Sequence, residues 1–310
     1  MSSRLAENRL YSWLSHRSYD LCTLVSPRWN SRRRWKKIFG RPLNEVDPAW
    51  WGEKLMLLKL DCYNRSPLVR QCANKYTVRA YVKNCGLERL LIPLLGLWRN
   101  ENAVPWGTLP DQFVLKSTMG CGSHVFCRDF RALDIPAAKR TLHRALHDRY
   151  YLAYAEMQYA PGNDMRPEVI GEALLDTGDG TMLPDYKFFC FAGEPKYVLY
   201  CFDRGADGHA KYLFCDMDWT PRPELHPCSA LDDAPPPPEN LADMIDCART
   251  LAAPFPFVRV DLYAFKGKTY FGELTFTPSA CVDAEITEAG QLAMGRLLDL
   301  KSIDRKALKL

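Results

Sequence analysis

The segment VRVDLYAFKGKTYFGELTFTPSA, residues 258–280, consists of two alternating apolar and polar runs on either side of Lys-Gly-Lys. Alternation with a period of two is typical of β-strands, and a glycine between two such runs favours a tight turn. We therefore expect an antiparallel hairpin with a three-residue loop over residues 266–268, in which Gly267 adopts positive φ. One face of its first strand would pack into the core through Val258, Val260 and Leu262.

This register places charged side chains side by side on the hairpin. Asp261 lies opposite Glu273, and Arg259 lies opposite Thr275. Directly opposed side chains have Cβ atoms about 5 Å apart, a distance at which two carboxylates repel. Carboxylate oxygens are ligands that Mg²⁺ prefers, so the pair predicts a magnesium site. Neutralisation of the two carboxylates by a nearby arginine or lysine is the alternative.

A second candidate site is the stretch FVLKSTMGCGSHV, in which a strand ends at Lys116 and a small-residue loop with Gly120 and Gly122 follows. Backbone N–H groups of such a loop can close over phosphates while the lysine adds a positive charge. The order of lysine and glycines differs from that of a Walker loop, and an ordinary hairpin turn is the alternative. Glu172 and Asp185 could bind adenine or ribose, or be ordinary carboxylates at strand ends.

The remaining pattern indicates a chain with both helices and strands. Apolar residues at helical spacing predict helices in LAENRLYSWL and WWGEKLMLLKLDCYN, and a short helix that opens at Lys75, with Asn74 as N-cap and Gly86 as its end. Buried strands are expected in LERLLIPLLGLW, QFVLKS and PEVIGEALLD, and a hairpin in PDYKFFCFAGEPKYVLYCFDR. A helix is expected in PENLADMIDCARTLAAPF. The fold class is therefore α+β or mixed α/β.

Composition limits the class of protein and its partners. The chain has 310 residues, 47% of them hydrophobic, which suffices for a substantial core. Its net charge of +4 does not call for a nucleic-acid partner. The N-terminal part is locally basic, which leaves contact with an anionic substrate or a membrane surface open, although no apolar stretch is long enough to span a bilayer. The 12 cysteines form no C-x-x-C pair, so free thiols and a cytoplasmic location are expected.

Taken in order, NKYTVRAYVKNCG, DQFVLKSTMGCG, VIGEALLD, LPDYKFFCFAGEPKYV and PFVRVDLYAFKGKTYFGELTFTPSA resemble the ATP-grasp superfamily, and most closely its TupA-like branch, related to teichuronopeptide biosynthesis proteins. The resemblance covers residues 52–280 and implies an α+β ATP-grasp fold whose two lobes clamp a nucleotide. It divides the chain into a helical, basic N-terminal region (1–70) and a segment preceding the ATP-grasp lobes (71–110). A lobe with the Gly-rich loop (111–175) and a lobe with the metal-binding hairpin (176–310) follow.

The resemblance also implies a set of nucleotide-binding residues. The lysines that would contact the phosphates are Lys75 and Lys116, and the loop over the phosphates would include Ser117, Gly120, Gly122 and Ser123. The interlobe hinge that receives adenine would consist of Glu172, Ala173 and Leu174. Asp185 would lie near the ribose, and Lys187 would point into the cleft.

At the hairpin, the resemblance implies that Arg259 stabilises charge on the transferred phosphoryl group and that Asp261 and Glu273 bind Mg²⁺. Where the superfamily commonly has an asparagine as a further metal ligand, this chain has Thr275. One or two ions are therefore both compatible with the sequence.

The activity that the resemblance implies is ATP-dependent ligation of a carboxylate to an amine through an acylphosphate. The setting would be polysaccharide or cell-envelope biosynthesis, with an amino acid and a uronic-acid-containing saccharide as partners. A glycosyltransferase-like polysaccharide enzyme and a non-catalytic nucleotide-binding protein are the alternatives.

Overall fold

The computed structural model describes most of residues 18–308, with gaps at 121, 123, 163–164, 179, 204–209 and 230–233. The predicted helix LAENRLYSWL and the predicted loop residue Ser123 lie outside the described residues. Among the described residues, no helix combines the length and the apolar character needed to cross a membrane.

Helices occur in the N-terminal third, in the middle and near the C-terminus of the chain. Residues 18–25 are helical, and they precede α1 (Pro27–Phe39), α2 (Trp51–Leu58), α3 (Pro67–Ala73), α4 (Val78–Asn84), α5 (Ile135–Leu146), α6 (Tyr150–Tyr154), α7 (Leu241–Ala252) and α8 (Glu288–Leu297). A π-helical turn over Lys59–Tyr63 extends α2, which confirms the helix predicted in WWGEKLMLLKLDCYN.

Strands form two antiparallel sheets. The first has the order β1-β4-β2-β3 and consists of β1 (Leu94–Trp98), β2 (Phe113–Ser117), β3 (His124–Cys127) and β4 (Val169–Ala173). The second has the order β7-β6-β5-β8-β9 and consists of β5 (Asp185–Phe191), β6 (Glu194–Phe202), β7 (Lys211–Asp216), β8 (Phe257–Phe265) and β9 (Lys268–Thr275). The predicted hairpins β5–β6 and β8–β9 are confirmed.

Each sheet has its own core. The smaller core packs α5 against the first sheet, through residues such as Leu115 and Leu142. The larger core joins the second sheet to the N-terminal helices, α7 and α8. Trp51 is central to it, with its ring 5.9 Å from that of Phe189 and 5.3 Å from that of Phe257. Burial of these aromatic side chains fixes the helical N-terminal part against the sheet that carries the charged hairpin.

The β8–β9 hairpin differs from the prediction in its loop but not in its charged pairs. The loop has two residues, Lys266 and Gly267, both at positive φ (50° and 70°). A β-bulge at Gly272 then adds one residue to β9, so that Asp261 still pairs with Glu273. The shorter loop and the bulge cancel, because each shifts the register by one residue in the opposite direction.

Two local predictions were wrong at their boundaries. The helix expected to open at Lys75 begins at Val78, because the Asn74 side chain accepts the N–H groups of Tyr76 and Thr77 and holds a turn there. In LERLLIPLLGLW only β1 is extended, since a 3₁₀ turn over Glu88–Leu90 precedes Pro93. The same strand is an edge strand of the first sheet, although it comes from the 71–110 segment.

Candidate active site

A row of charged side chains crosses three strands of the second sheet on one face. Lys187, Asp261 and Glu273 are direct cross-strand partners on β5, β8 and β9. The Lys187 ammonium lies 2.9 Å from Asp261 Oδ2 and 3.4 Å from Asp185 Oδ2. Because residues two apart on a strand share a face, Arg259 belongs to the same row. We call Asp185, Lys187, Arg259, Asp261 and Glu273 the charged row.

Arg259 donates two hydrogen bonds to the Asp261 carboxylate. Its Nε donates to Oδ1 and its Nη2 to Oδ2, each over 2.7 Å, and Nη2 also donates to the Thr275 hydroxyl over 3.1 Å. Asp261 is buried. Burial disfavours the Arg259 charge, but the adjacent Asp261 carboxylate outweighs it and raises the pKa of the guanidinium. Such a planar fork also fits phosphate oxygens.

Glu273 is the accessible acid of the row. Its side chain is 41% exposed, against 4% for Asp261. Burial opposes its ionisation, but the charges of Lys75, Arg259 and Lys187 prevail and lower the pKa of Glu273 to about 2. The Thr275 hydroxyl donates to its Oε1 over 3.1 Å. Glu273 therefore presents a carboxylate that is ionised at neutral pH at the edge of the row.

Lys187 and Tyr263 complete the polar face near Asp185. Burial disfavours the Lys187 charge, yet the Asp261 carboxylate prevails and raises the pKa of the ammonium. Tyr263 pairs in register with Asp185. Burial, then the Asp185 charge, raises the pKa of the Tyr263 phenol, so that it stays neutral and can donate a hydrogen bond.

On the first sheet, Glu172 is held between two cations. Lys116 Nζ lies 2.7 Å from Glu172 Oε2, and Arg79 Nη1 lies 3.0 Å from Oε1. Sequence reasoning misses Arg79, because one arginine in a short amphipathic helix carries no signal for a partner 93 residues away. Glu172 thus pairs with Lys116, which the family resemblance assigned to phosphate binding. It also holds a second cation, Arg79, close to Lys116.

The small-residue loop is anchored at its start by Lys75. The Lys75 N–H donates to the Thr118 carbonyl over 2.9 Å, and its ammonium donates to the Gly120 carbonyl over 2.6 Å. Gly120 and Gly122 have φ values of 87° and 79°, which other residues adopt at a cost. The Ser117 hydroxyl accepts the Met119 N–H over 3.3 Å. Lys75 is therefore bound to the loop and also 4.0 Å from Glu273.

An apolar cavity lies beside the charged row. Asp185, Tyr263 and Lys116 line its polar side, and its apolar wall includes Ile92, Val114, Phe126, Leu174, Met182 and Leu183. Of the predicted hinge residues, Leu174 contributes its side chain to this cavity. The N–H of Ala173 donates to the Pro93 carbonyl over 3.0 Å, so that N–H is already satisfied.

A second cavity, with a volume of about 540 Å³, opens at the other end of the row. Lys75, Arg259, Glu273 and Thr275 line it with three charged side chains and one hydroxyl. Three tyrosines, one cation and one acid form its opposite wall: Tyr150, Tyr154, Tyr159, Arg34 and Glu156. We call this second cavity the tyrosine cavity. None of these five belongs to a recognisable motif, since they come from α1, from the short helix α6 and from the chain just after it.

Glu156 is a buried acid in this wall. It accepts a hydrogen bond from the Thr277 hydroxyl. Burial raises the pKa of Glu156, and the charges of Lys59 and Arg34 only partly oppose this. Among the described residues no ion pair is formed by Glu156. A carboxylate with a raised pKa inside a cavity is suited to exchange a proton with a bound molecule.

The two antiparallel sheets, the small-residue loop and the charged row between two cavities agree with the ATP-grasp fold that the sequence resembles. A family model described as TupA-like ATPgrasp matches residues 53–298. The chain therefore belongs to the TupA-like ATP-grasp family and has the ATP-grasp fold.

Solved structures similar to the chain include three ligases. An L-amino acid ligase from Bacillus licheniformis is 14% identical, with 78% of this chain and 51% of that chain covered and a TM-score of 0.44. A D-alanine-D-alanine ligase from Helicobacter pylori is 14% identical, with 74% and 61% covered and a TM-score of 0.39. The corresponding Bacillus anthracis enzyme complexed with ATP is 13% identical, with 78% and 69% covered and a TM-score of 0.42.

The chain spans about half the length of the L-amino acid ligase that it matches, 51%. No curated protein matches the sequence.

Proposed function

We propose that this protein is an ATP- and Mg²⁺-dependent ligase that joins a carboxylate to an amine. The observation that carries the proposal is the continuity of the charged row. Asp185, at one end, lines the apolar cavity, whereas Arg259 and Glu273, at the other end, line the tyrosine cavity. If the base of a nucleotide lies in the apolar cavity, its phosphates extend along the charged row and its terminal phosphate points into the tyrosine cavity.

The residues of the row fit a metal–triphosphate pair. The carboxylates of Asp261 and Glu273 are now balanced by Arg259, Lys187 and Lys75. Phosphate oxygens can replace the carboxylates as partners of these cations. The carboxylates, with the Thr275 hydroxyl, are then free to hold Mg²⁺. A bound Mg²⁺ ion supplies neutralisation of phosphate charge and alignment for in-line transfer.

We assign the other expected nucleotide contacts in the same way. Lys116 and Lys75 bind phosphates, and the loop with Ser117, Gly120, Gly122 and Ser123 closes over them. Glu172, Ala173 and Leu174 adjoin the base, and Asp185 and Lys187 the ribose and the cleft. Lys116 supports this assignment most directly, because it lines the apolar cavity together with Asp185 of the charged row.

The reaction has two steps. A substrate carboxylate oxygen attacks the γ-phosphorus of ATP, and ADP leaves with the electrons of the broken P–O bond. Arg259 stabilises the charge on the transferred group. The amine nitrogen then attacks the acyl carbon, phosphate leaves, and the amine loses one proton. Glu156 is the carboxylate in the tyrosine cavity that we assign to accept this proton.

The substrate classes that we propose are an amino acid and a uronic-acid-containing saccharide, in polysaccharide or cell-envelope biosynthesis. Support comes from the family and from the tyrosine cavity, whose flat rings and Arg34 suit an anionic sugar. The free state of all eleven described cysteines is in keeping with a reducing, cytoplasmic location.

The test is a screen for ADP release over panels of carboxylates and amines, with mass detection of the product. The proposal requires ADP formation that depends on Mg²⁺ and on both substrates, and a product lighter than their sum by one water. The Glu273→Gln variant, which keeps the shape of the side chain, serves as the inactive control. Release of UDP from a sugar nucleotide, or ATP binding without turnover in any combination, would contradict the ligase assignment.

A further inference from the structure

The helical segment 18–39 has an apolar outer surface. Four large apolar side chains on it are between 51% and 77% exposed, and we call them the apolar patch: Leu21, Leu24, Val25 and Trp29. Leu21, Leu24 and Val25 lie on the helix of residues 18–25, and Trp29 lies in the first turn of α1, the next helix along the chain. The segment precedes the residues that match the family, so the family does not account for the patch.

The segment consists of two packed helices that meet at Ser26. Ser26 has an extended backbone, with φ −160° and ψ 113°, and caps α1 by accepting the Trp29 N–H on its side chain, while its own N–H donates to the Cys22 carbonyl over 2.8 Å. The inner face is buried through Tyr19, Cys22, Asn30 and Trp35. The patch is therefore a surface shared by two packed helices.

Basic side chains follow the patch along α1, and two of them, Arg33 and Lys37, lie over the ring of the buried Tyr19. Arg32, Arg33, Lys36 and Lys37 are all exposed. Arg32 pairs with Glu45, whereas the other three form no ion pair with a described residue. Asp20 is the one acidic residue between positions 18 and 40. The two helices thus combine exposed apolar area with three basic side chains that have no acidic partner among the described residues.

We propose that these two helices dock on an anionic membrane surface. Helices that lie in a membrane interface combine exposed Leu and Trp side chains with basic residues, and the two contributions add. Tryptophan favours the headgroup level, and each Lys or Arg near the surface is attracted to acidic lipids. Arg34 and Ile38 of α1 line the tyrosine cavity, so docking holds that cavity near the lipid surface. This inference does not depend on the proposed function.

Sedimentation with vesicles tests the proposal on the full chain. We expect binding to vesicles of equal parts phosphatidylcholine and phosphatidylglycerol, and much weaker binding to phosphatidylcholine alone. Replacing Leu24, Val25 and Trp29 together by serine should lower the partition coefficient about tenfold or more. Lys36→Glu with Lys37→Glu should lower it by a similar factor.

Matched controls come from other exposed positions. Tyr212→Ser removes a side chain that is 41% exposed on the second sheet, and Lys301→Glu with Lys306→Glu reverses two exposed charges. Both controls should bind vesicles like the parent chain. Trp29→Phe should also bind, while the blue-shifted part of the tryptophan emission on binding disappears.

Three results would overturn the proposal. They are equal binding to neutral and anionic vesicles, unchanged binding of both patch and charge variants, and self-association of the chain without lipid that the triple serine variant abolishes. The last result would assign the patch to a second copy of the chain.

Discussion

Lys187 and Asp261 form the central ion pair of the cleft, with the ammonium 2.9 Å from Oδ2, and both side chains are largely buried. They are direct cross-strand partners on β5 and β8, and Arg259 holds the same carboxylate from the other side. Removing one partner of such a group leaves an uncompensated buried charge, which costs more than an exposed pair contributes. The pair is thus part of the fold as well as of the site.

The Asp261→Asn variant should lose both activity and stability. The amide leaves Lys187 and Arg259 without their carboxylate, so we expect the free energy of unfolding to fall by about 3 kcal/mol. Turnover should fall by roughly a hundredfold or more, because the proposed metal ligand is lost. Urea unfolding and the ADP assay measure the two effects. Parent-like activity in this variant would remove Asp261 from the metal site.

Glu273→Gln separates activity from stability, because Glu273 is half-exposed. In the folded chain the pKa of Glu273 is about 2, below its ordinary value of 4.5. Its charge therefore stabilises the fold above about pH 4.5, and this contribution is lost as the pH falls toward 2. At neutral pH, Glu273→Gln should lower the free energy of unfolding by less than Asp261→Asn does. Between pH 4.5 and 2, the stability of the variant should vary less than that of the parent. A slope identical to that of the parent would contradict the assigned ion pairs.

Lys116→Ala should weaken ATP binding by about tenfold, since a phosphate contact is lost. It also leaves the buried Glu172 with Arg79 alone, at a cost of about 1–3 kcal/mol in stability. The double variant with Glu172→Gln should recover stability but not ATP affinity, because the amide needs no second cation. Calorimetric titration with ATP and thermal unfolding distinguish the two roles. Recovery of ATP affinity in the double variant would count against the phosphate role.

Gly272→Ala tests the bulge that restores the register of the hairpin. A Cβ at this position would lie 2.9 Å from the Asp261 carbonyl oxygen, within the backbone of the partner strand. We expect a loss of about 1–3 kcal/mol in unfolding free energy and lower turnover, as Asp261 and Glu273 lose their alignment. Gly107→Ala, where a Cβ meets open space, is the control and should leave both quantities unchanged.

Glu156→Gln should slow amide formation by about 10²–10⁴-fold without weakening ATP binding, since the proposed proton acceptor is removed. Acylphosphate formation should persist, so that hydroxylamine, which is neutral near pH 7, still traps the activated carboxylate. Because burial raises the pKa of Glu156, the parent rate should rise with pH through a value above 4.5, and the variant should lack this limb. Equal loss of trapping and of amide formation would indicate a structural role instead.

The elements and the charged pairs of the hairpin could be predicted from the sequence, since they depend on local spacing. Alternation with a period of two placed Asp261 opposite Glu273 even though the loop is one residue shorter than expected. The pairing survived because burial of one face and the bulge at Gly272 select the register, whereas the turn has little influence. The start of the helix after Lys75 was missed, because the competing bonds of Asn74 are a three-dimensional detail.

The sequence by itself determined most of the strands, the hairpin that carries Asp261 and Glu273, and the family resemblance, because each rests on residues close together in the chain. Only the tertiary structure decided that Arg79 shares Glu172 with Lys116, and that Arg34 and Glu156 face Arg259 across one cavity. These contacts join segments that are far apart in sequence, and packing of the two cores brings them together. A single arginine or glutamate has no periodicity that could reveal its partner, so its role emerges only from the folded chain.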